Sequence, residues 1–256
     1  NNTYLQVLGC QANQLTSLDV SANTALAGLQ CQNNQLIHLN MKNGVTDQLT
    51  EFNATNNSLD CIETLDPSWA TENWTYANGN IDEGVEFSVV CAPEGYTYVP
   101  DNNFEQALID LGYDDVLNDF VLIENIADLD SLDVSEKEIN DLTGIEDFAA
   151  LTFLNCQTNQ LTSLDVSANT ALTHLDCKVN QITSLNLSNN TALYALDCHN
   201  NQLTSLDVSA NTALEFLTCD NNQLTSMALS SNTALTVLSC YSNALISLDL
   251  SSNTAL

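Results

Sequence analysis

The sequence predicts a β-rich solenoid with little helix, in which parallel strands stack in two arrays separated by cap segments. Three observations predict this fold. Seven of the nine cysteines recur in one position, 21 residues apart within each array. Every 21-residue unit consists of two similar halves with leucine and asparagine at matching positions. The period fails between about residues 59 and 128, so the arrays are separate.

Each half-repeat has the pattern of a short strand followed by a turn. One copy reads Leu193-x-x-Leu196-x-Cys198-x-x-Asn201-x-Leu203, and its second half reads Leu203-x-x-Leu206-x-Val208-x-x-Asn211-x-x-Leu214. Alternation places the apolar residues on one face of an extended segment. The asparagine can turn the chain and bond neighbouring backbone groups from inside. We therefore expect a row of strands on the first-half side and an extended row on the second-half side too.

These residues resemble the leucine-rich repeat family, L-x-x-L-x-L-x-x-N-x-L, with cysteine in the third leucine position. The doubled, 21-residue motif resembles the short bacterial class of that family. Matching units begin at Leu5, Leu26, Leu49, Leu129, Leu151, Leu172, Leu193, Leu214 and Leu235. The resemblance implies a solenoid of parallel strands whose outward residues are free to vary.

Four segments follow from the repeats and from the resemblance. Residues 1–59 form the C-terminal part of a first array, and residues 129–256 form a second array. Residues 60–95 resemble the C-terminal cap of secreted surface proteins from marine Bacteroidetes-type bacteria. Residues 96–128 resemble the N-terminal cap that opens a new array in the same proteins. Solenoids need such caps because their last apolar layer would otherwise face water.

The second cap is predicted to contain a helix. Its apolar face would contain Phe104, Ala107, Leu108 and Leu111. Asp101 or Asn102 can cap the start of this helix, and Gly112 can end it. A second short helix is expected around residues 114–119.

The cysteines fall into two groups. The seven repeat cysteines are expected to form a ladder of small buried side chains, because aligned neighbours on parallel strands are poorly placed for disulfides. The remaining two, Cys61 and Cys91, bracket the first cap, and we expect them to be bonded. A disulfide would indicate an oxidising, extracellular location. A zinc site is not expected, since no C-x-x-C pair occurs and the histidines are scattered.

Charge excludes several classes of function. The chain has 33 acidic residues and three lysines, without arginine, for a net charge of −30. Nothing in it can replace the counterions of a nucleic acid, and docking on anionic membranes is disfavoured. No apolar run has the length of a membrane span, so insertion is not expected.

The outward residues of the second halves form an acidic, nearly invariant row. Along the second array its middle position reads Asp165, Asn186, Asp207, Ala228, Asp249. Neutral residues alternate with carboxylates, which favours a solvated face where repulsion is managed. Weak association of calcium or another cation is the alternative, although the dense ligand set that calcium prefers is missing. No cofactor is expected.

The first-half face varies where the second-half face does not, and variation permits ligand-specific chemistry. The candidate binding residues are Phe153, His174, Asp176, Lys178, Asp197, His199, Phe216, Asp220 and Tyr241. Simple drift of exposed positions is the alternative. Asp176 and Asp197 could pose as paired catalytic carboxylates, but no phosphate loop or nucleophile elbow accompanies them, so an enzyme is not expected.

Two functions are compatible with these observations. The first is an extracellular or cell-surface scaffold for adhesion, or for binding a protein or glycan on a cell or matrix surface. The alternative is a structural module of a tandem-repeat filament or shaft, which contacts neighbouring copies of itself and has no dedicated ligand. One observation favours the alternative: residues 252–256 align with residues 1–5, as in a tandem polymer.

Overall fold

The structure is a computed structural model that describes residues 2–256. Asn1, the first residue of the predicted first array, lies outside the described residues. The chain divides into two compact units, Asn1–Cys91 and Ala92–Leu256, and each is described by itself. Both contain parallel strands from successive repeats, so the predicted leucine-rich repeat solenoid is confirmed.

The first unit contains two parallel sheets. Its elements are strands β1 (Val7–Gly9), β2 (Ser17–Asp19), β3 (Gly28–Gln30), β4 (His38–Asn40), β5 (Glu51–Asn53), β6 (Cys61–Glu63) and β7 (Glu86–Ser88), and helix α1 (Pro67–Asn73) between β6 and β7. The order β1-β3-β5 forms the sheet of the first halves, and β2-β4-β6-β7 forms the other sheet. The expected second row of strands is therefore present in this unit.

Helix α1 closes the end of the first unit over an aromatic cluster. The carboxylate of Asp66 accepts a hydrogen bond from the backbone N–H of Trp69 at 2.9 Å and caps the helix. The ring of Trp74 lies 4.3 Å from that of Phe52 and 5.8 Å from that of Phe87, between ring centroids. Trp74 is buried, so these rings belong to the apolar core of the first unit.

A disulfide and a buried carboxylate hold the end of the same unit. Cys61 and Cys91 are bonded, with their Cα atoms 5.8 Å apart. The Glu63 side chain is only 9% exposed and lies 2.9 Å from Nζ of Lys42. It also accepts a hydrogen bond from the backbone N–H of Cys91 at 3.3 Å. The segment between the two cysteines is thus closed by one covalent bond and one ion-paired acceptor.

The second unit contains a six-stranded parallel sheet. Its elements are β8 (Tyr96–Tyr98), helix α2 (Asn102–Leu111), β9 (Phe120–Leu122), β10 (Ser131–Asp133), β11 (Phe153–Asn155), β12 (His174–Asp176), β13 (Ala195–Asp197), β14 (Phe216–Thr218) and β15 (Val237–Ser239). Strands β10 to β15 pair in sequence order, and β8 and β9 form a separate antiparallel pair. The central leucine of each strand from β10 to β14 is buried, as the alternation predicts.

In the second unit the second halves form almost no sheet, so the extended row expected on that side is not a row of paired strands there. In the part of the chain that the structure describes, the second halves there form one isolated bridge, between Asn186 and Asp207. Elsewhere on this side the neighbouring repeats are joined by asparagine side chains. Asn190 Nδ2, for example, donates to the carbonyls of Val166 and Asn169, both at 2.9 Å.

Helix α2 begins and ends as expected. The Asp101 carboxylate accepts hydrogen bonds from two N–H groups of the first turn, including that of Phe104 at 3.1 Å. Gly112 follows the helix with a φ of 84°, which suits glycine. Two details differ from the prediction. Leu111 is 45% exposed and so lies off the buried face, and residues 114–119 form turns instead of a second helix.

Inward asparagines connect the first halves of successive repeats. Nδ2 of Asn201 donates to the carbonyls of Cys177 and Cys198, at 3.0 and 3.1 Å. Its Oδ1 accepts from the backbone N–H of Ile182, in the preceding repeat, at 2.9 Å. The same pattern recurs at Asn159, Asn180, Asn222 and Asn243. These bonds keep the strands in register and thereby position their outward residues.

The repeat cysteines line the interior as free thiols. Five of the seven are fully buried: Cys31, Cys156, Cys177, Cys198 and Cys219. Burial raises the pKa of Cys31 and of Cys219 to about 12, so both thiols stay protonated at neutral pH. The ladder of repeat cysteines is therefore part of the apolar core.

Finally, among residues 2–256 no helix is both long and apolar enough to cross a lipid bilayer.

Candidate binding face

The outward residues of β10 to β15 form three rows, which we call the strand face. The first row contains Ser131, Phe153, His174, Ala195, Phe216 and Val237. The second row contains Asp133, Asn155, Asp176, Asp197, Thr218 and Ser239. Two residues further along each chain segment lie Ser135, Gln157, Lys178, His199, Asp220 and Tyr241. Neighbouring strands are about 4.8 Å apart, so residues within a row can contact each other.

An aromatic row crosses the middle of the strand face. The ring centroids of Phe153 and His174 are 6.2 Å apart. Tyr194, directly before β13, lies 5.5 Å from His174 and 5.2 Å from Phe216. Sequence analysis did not select Tyr194. The available signal was an aromatic residue at a position where the preceding repeat has Thr173.

A shallow slot opens within this row. Ala195 pairs in register between His174 and Phe216, and its methyl group leaves space between the two larger rings. The resulting cleft has a volume of about 220 Å³ and is also lined by Phe153. Phe153 is 37% exposed and Phe216 38% exposed, so both rings are accessible from solvent.

A network of ion pairs borders the slot. Nζ of Lys178 lies 2.7 Å from Oδ2 of Asp176 and 3.5 Å from Oδ2 of Asp197. Nδ1 of His199 lies 2.6 Å from Oδ1 of Asp197. Partial burial acts to lower the pKa of Lys178, but the hydrogen bond and charge of Asp176 and the charge of Asp197 raise it overall. Both carboxylates therefore contact the Lys178 ammonium, and Asp197 also contacts the His199 ring, so they do not form a free acid–base pair.

The last two candidate residues lie apart from the slot. Asp220 is only 3% exposed, because it accepts a hydrogen bond from the Ser239 hydroxyl at 2.7 Å and another from Asn221 Nδ2 at 3.1 Å. It is thus a buried acceptor and not the outward group that the repeat pattern suggested. Tyr241 is 63% exposed and follows β15.

The remaining seven candidates form one patch around the slot. Within residues 2–256, no group of three or more histidine, cysteine or acidic side chains could hold a metal ion. The strand face thus presents exposed rings beside charged side chains that contact one another.

Comparison with known proteins gives partial matches. No family model matches the chain. Over 73 residues the chain is 41% identical to internalin J of Listeria monocytogenes, and this match covers 28% of the chain and 8% of that protein. The chain thus spans less than a tenth of the length of this relative.

Among solved structures, an internalin (inlF) of Listeria monocytogenes matches with a TM-score of 0.50 at 21% identity. That match covers 99% of this chain and 72% of the other. The domain of InlJ that includes a cysteine ladder matches at 27% identity, with a TM-score of 0.33, over 66% of this chain and 57% of the other. The chain is similar to leucine-rich repeat proteins of the internalin type, and the inlF match supports the fold alone.

Proposed function

We propose that this chain is an extracellular leucine-rich repeat scaffold that binds a partner on a cell or matrix surface through the strand face of its second unit. The observation that carries the proposal is the exposed aromatic row with its slot over Ala195. Exposed phenylalanines are unfavourable in water, and several side by side are typical of interaction sites. Binding energy is usually concentrated in a few rigid aromatic side chains, such as Phe153 and Phe216.

The ion-pair network supports the same proposal. Interfaces commonly have an apolar centre and a polar rim. Lys178 and His199 hold Asp176 and Asp197 in place, so the rim is organised before a partner arrives. Less side-chain entropy is then lost on binding. A protein partner offers both the apolar rings and the charges that such a surface can use, and a glycan partner is the other possibility to be tested.

The extracellular location has its own support. Stable disulfides occur mainly in oxidising compartments, and the bond between Cys61 and Cys91 fits such a compartment. We also propose that residues 60–95 and 96–128 act as the end caps of two modules. Helix α1 covers the aromatic cluster of the first segment. Phe104 of helix α2 packs on Phe148, with ring centroids 6.4 Å apart.

The test compares binding by three forms of the full chain: wild type, the double variant Phe153→Ala/Phe216→Ala, and the control Ser205→Ala/Asp207→Ala on the second-half side. Each form is applied in solution to a glycan array. In a second assay each form is immobilised and exposed to purified surface-protein fractions. We expect retention of a partner by wild type and by the control, and loss with the aromatic variant at an unchanged melting temperature.

Two outcomes would contradict the proposal. Equal retention by all three forms would place binding elsewhere. Concentration-dependent self-association that is abolished by Phe153→Ala/Phe216→Ala, with no partner retained, would favour the filament module instead.

A further inference from the structure

A cleft in the first unit lies far in sequence from the strand face. It has a volume of about 430 Å³ and lies between the end of helix α1 and the segment 81–87. Its aromatic wall consists of Trp74, Tyr76 and Phe87, and its acidic wall consists of Asp82, Glu83 and Glu86. Aromatic and acidic residues therefore line one common cleft.

The aromatic wall has one fixed part and one accessible part. The Trp74 ring is held between Phe52 and Phe87 by the contacts described above and is only 5% exposed. Tyr76, by contrast, is 61% exposed at the mouth of the cleft. A ligand in the cleft would meet an enclosed ring at the base and an exposed one at the entrance.

The acidic wall lacks an internal counter-charge. None of the described residues that line the cleft is a lysine or histidine. The one lysine of the first unit, Lys42, is paired with Glu63 at 2.9 Å. Both carboxylate oxygens of Asp82 accept backbone N–H groups, from Asn56 at 2.9 Å and from Asn57 at 3.0 Å, so the carboxylates left for a ligand are the exposed ones of Glu83 and Glu86.

We propose that this cleft binds an alkylammonium group. A cation over aromatic faces is attracted by the ring quadrupoles, and adjacent carboxylates add charge complementarity. A neutral apolar ligand would remove water from Glu83 and Glu86 without replacing it by any compensating charge. A bare metal ion is disfavoured, because aromatic rings supply no oxygen ligands of the kind that hard cations require.

The same chemistry could come from two sources, a free quaternary ammonium compound or a lysine side chain of a protein. Choline and Nα-acetyl-lysine methylamide are the two probes, and 3,3-dimethylbutan-1-ol is the uncharged match for choline. Both tryptophans of the chain, Trp69 and Trp74, lie in this cap. Intrinsic tryptophan fluorescence of the full chain therefore reports directly on the cleft, and calorimetry provides a second readout.

We expect a saturable fluorescence change with at least one cationic probe, and affinity for the alcohol about threefold to tenfold weaker than for choline. The stronger of the two cationic probes identifies the source. Tyr76→Ala and Glu86→Gln should each weaken binding about threefold or more. The matched controls are Tyr4→Ala, a tyrosine that is 88% exposed, and Glu51→Gln, and both should bind as wild type does.

Three results would overturn the proposal. The first is equal binding of the alcohol and choline, which would make the cleft merely apolar. The second is the absence of saturable change in both fluorescence and calorimetry with both cations. The third is an equal loss of affinity for the cationic probes in Tyr4→Ala and Tyr76→Ala at unchanged melting temperature. Binding would then not depend on the cleft.

Discussion

In the second unit, each repeat consists of two halves with the same pattern of leucines and asparagines, and the two halves fold differently. Leu196, in the first half, lies in β13 and belongs to the six-stranded sheet. Leu206, its counterpart in the second half, lies outside the strands of the described chain. Both are buried, at 2% and 8% exposure. Burial of the apolar side chains is therefore compatible with either backbone arrangement.

The two halves also differ in the spacing after the asparagine, and this spacing changes the hydrogen bonds of the asparagine side chain. In the first half, Leu203 follows Asn201 by two positions, and its N–H donates to Oδ1 of Asn222 in the next repeat at 2.9 Å. In the second half, Leu214 follows Asn211 by three positions, and its N–H donates to the backbone carbonyl of Asn211 in its own repeat at 3.1 Å. The additional residue closes a local turn. The side-chain oxygen of the asparagine then loses its donor.

The consequence recurs in five of the six second halves of the second array, the exception being the first, where Phe148 occupies the asparagine position. The side-chain oxygens of five buried asparagines accept no hydrogen bond in the described structure. These residues are Asn169, Asn190, Asn211, Asn232 and Asn253. A buried acceptor without a partner costs about 1–3 kcal/mol. The first-half side, which forms the sheet, is called the sheet side below, and the second-half side of the second unit is called the turn side. The sheet side therefore contributes more hydrogen-bond stability per repeat than the turn side.

The largest expected effect separates the two asparagines of one repeat. Asn201→Ala should destabilise the fold by about 3 kcal/mol or more, because the Ile182 N–H and the Cys177 carbonyl both lose a partner. Asn211→Ala should cost only about 1–2 kcal/mol, since it removes two donated bonds and one unpartnered oxygen. Urea unfolding of the two variants measures both values. Equal losses would contradict the comparison.

Placing a hydroxyl at a buried apolar position should cost the same stability on the sheet side and on the turn side. Cys198→Ser and Val208→Thr each place a hydroxyl in a fully buried position, of 0% and 1% exposure respectively. Each should cost about 1–3 kcal/mol, because a polar group is buried without a designed partner. Urea unfolding again provides the measurement. A cost confined to Cys198→Ser would show that the two sides also differ in packing.

A smaller effect is expected from backbone strain beside the asparagine ladder. Val179 and Asn200 occupy equivalent positions with φ of 53° and 52°, in the left-handed region that a β-branched residue disfavours. Val179→Asn should therefore stabilise the protein by about 1 kcal/mol, and the matched Asn200→Val should destabilise it by about the same amount. Thermal unfolding shows whether each variant is more or less stable than wild type. A loss of stability in Val179→Asn would mean that Val179 contributes packing that outweighs its strain.

On the turn side, cations should act mainly by screening. With a net charge of −30, self-repulsion should fall as ionic strength rises, so the melting temperature should increase. Because we propose no specific calcium site, magnesium at equal concentration should have the same effect as calcium. A rise with calcium alone, saturating at low concentration, would establish specific sites on the Asp165, Asp207 and Asp249 row.

The smallest effect concerns the pH dependence of the same row. Hydrogen bonds from the side chain and the backbone of Ser209 lower the pKa of Asp207. A lowered pKa contributes stability above the ordinary value, and this contribution is lost as the pH falls through the lowered value. Asp207→Asn should therefore lower the melting temperature slightly at neutral pH and reduce its decline below about pH 4. If the melting temperatures of wild type and variant fell equally on acidification, the Asp207 carboxylate would not contribute to the pH dependence of stability.

The candidate site could be predicted from sequence only in part. The repeat pattern identified the outward rows, because every copy repeats the same alternation of inward and outward residues. It could not identify the slot, which depends on Ala195 lying beside the larger rings of His174 and Phe216 on neighbouring strands. It also placed Asp220 on the surface, where neighbouring side chains in fact cover it.

The sequence by itself determined the period, the inward leucines and cysteines, the turn-forming asparagines and both ends of helix α2. These features depend on local alternation, capping and glycine conformation, which act within a few residues. Only the tertiary structure decided which half of each repeat becomes a strand, which outward residues remain exposed, and which rings and charges meet. Those outcomes depend on distances between residues about 21 positions apart in the chain, where one additional residue in a turn redirects a hydrogen bond from the next repeat to the same one.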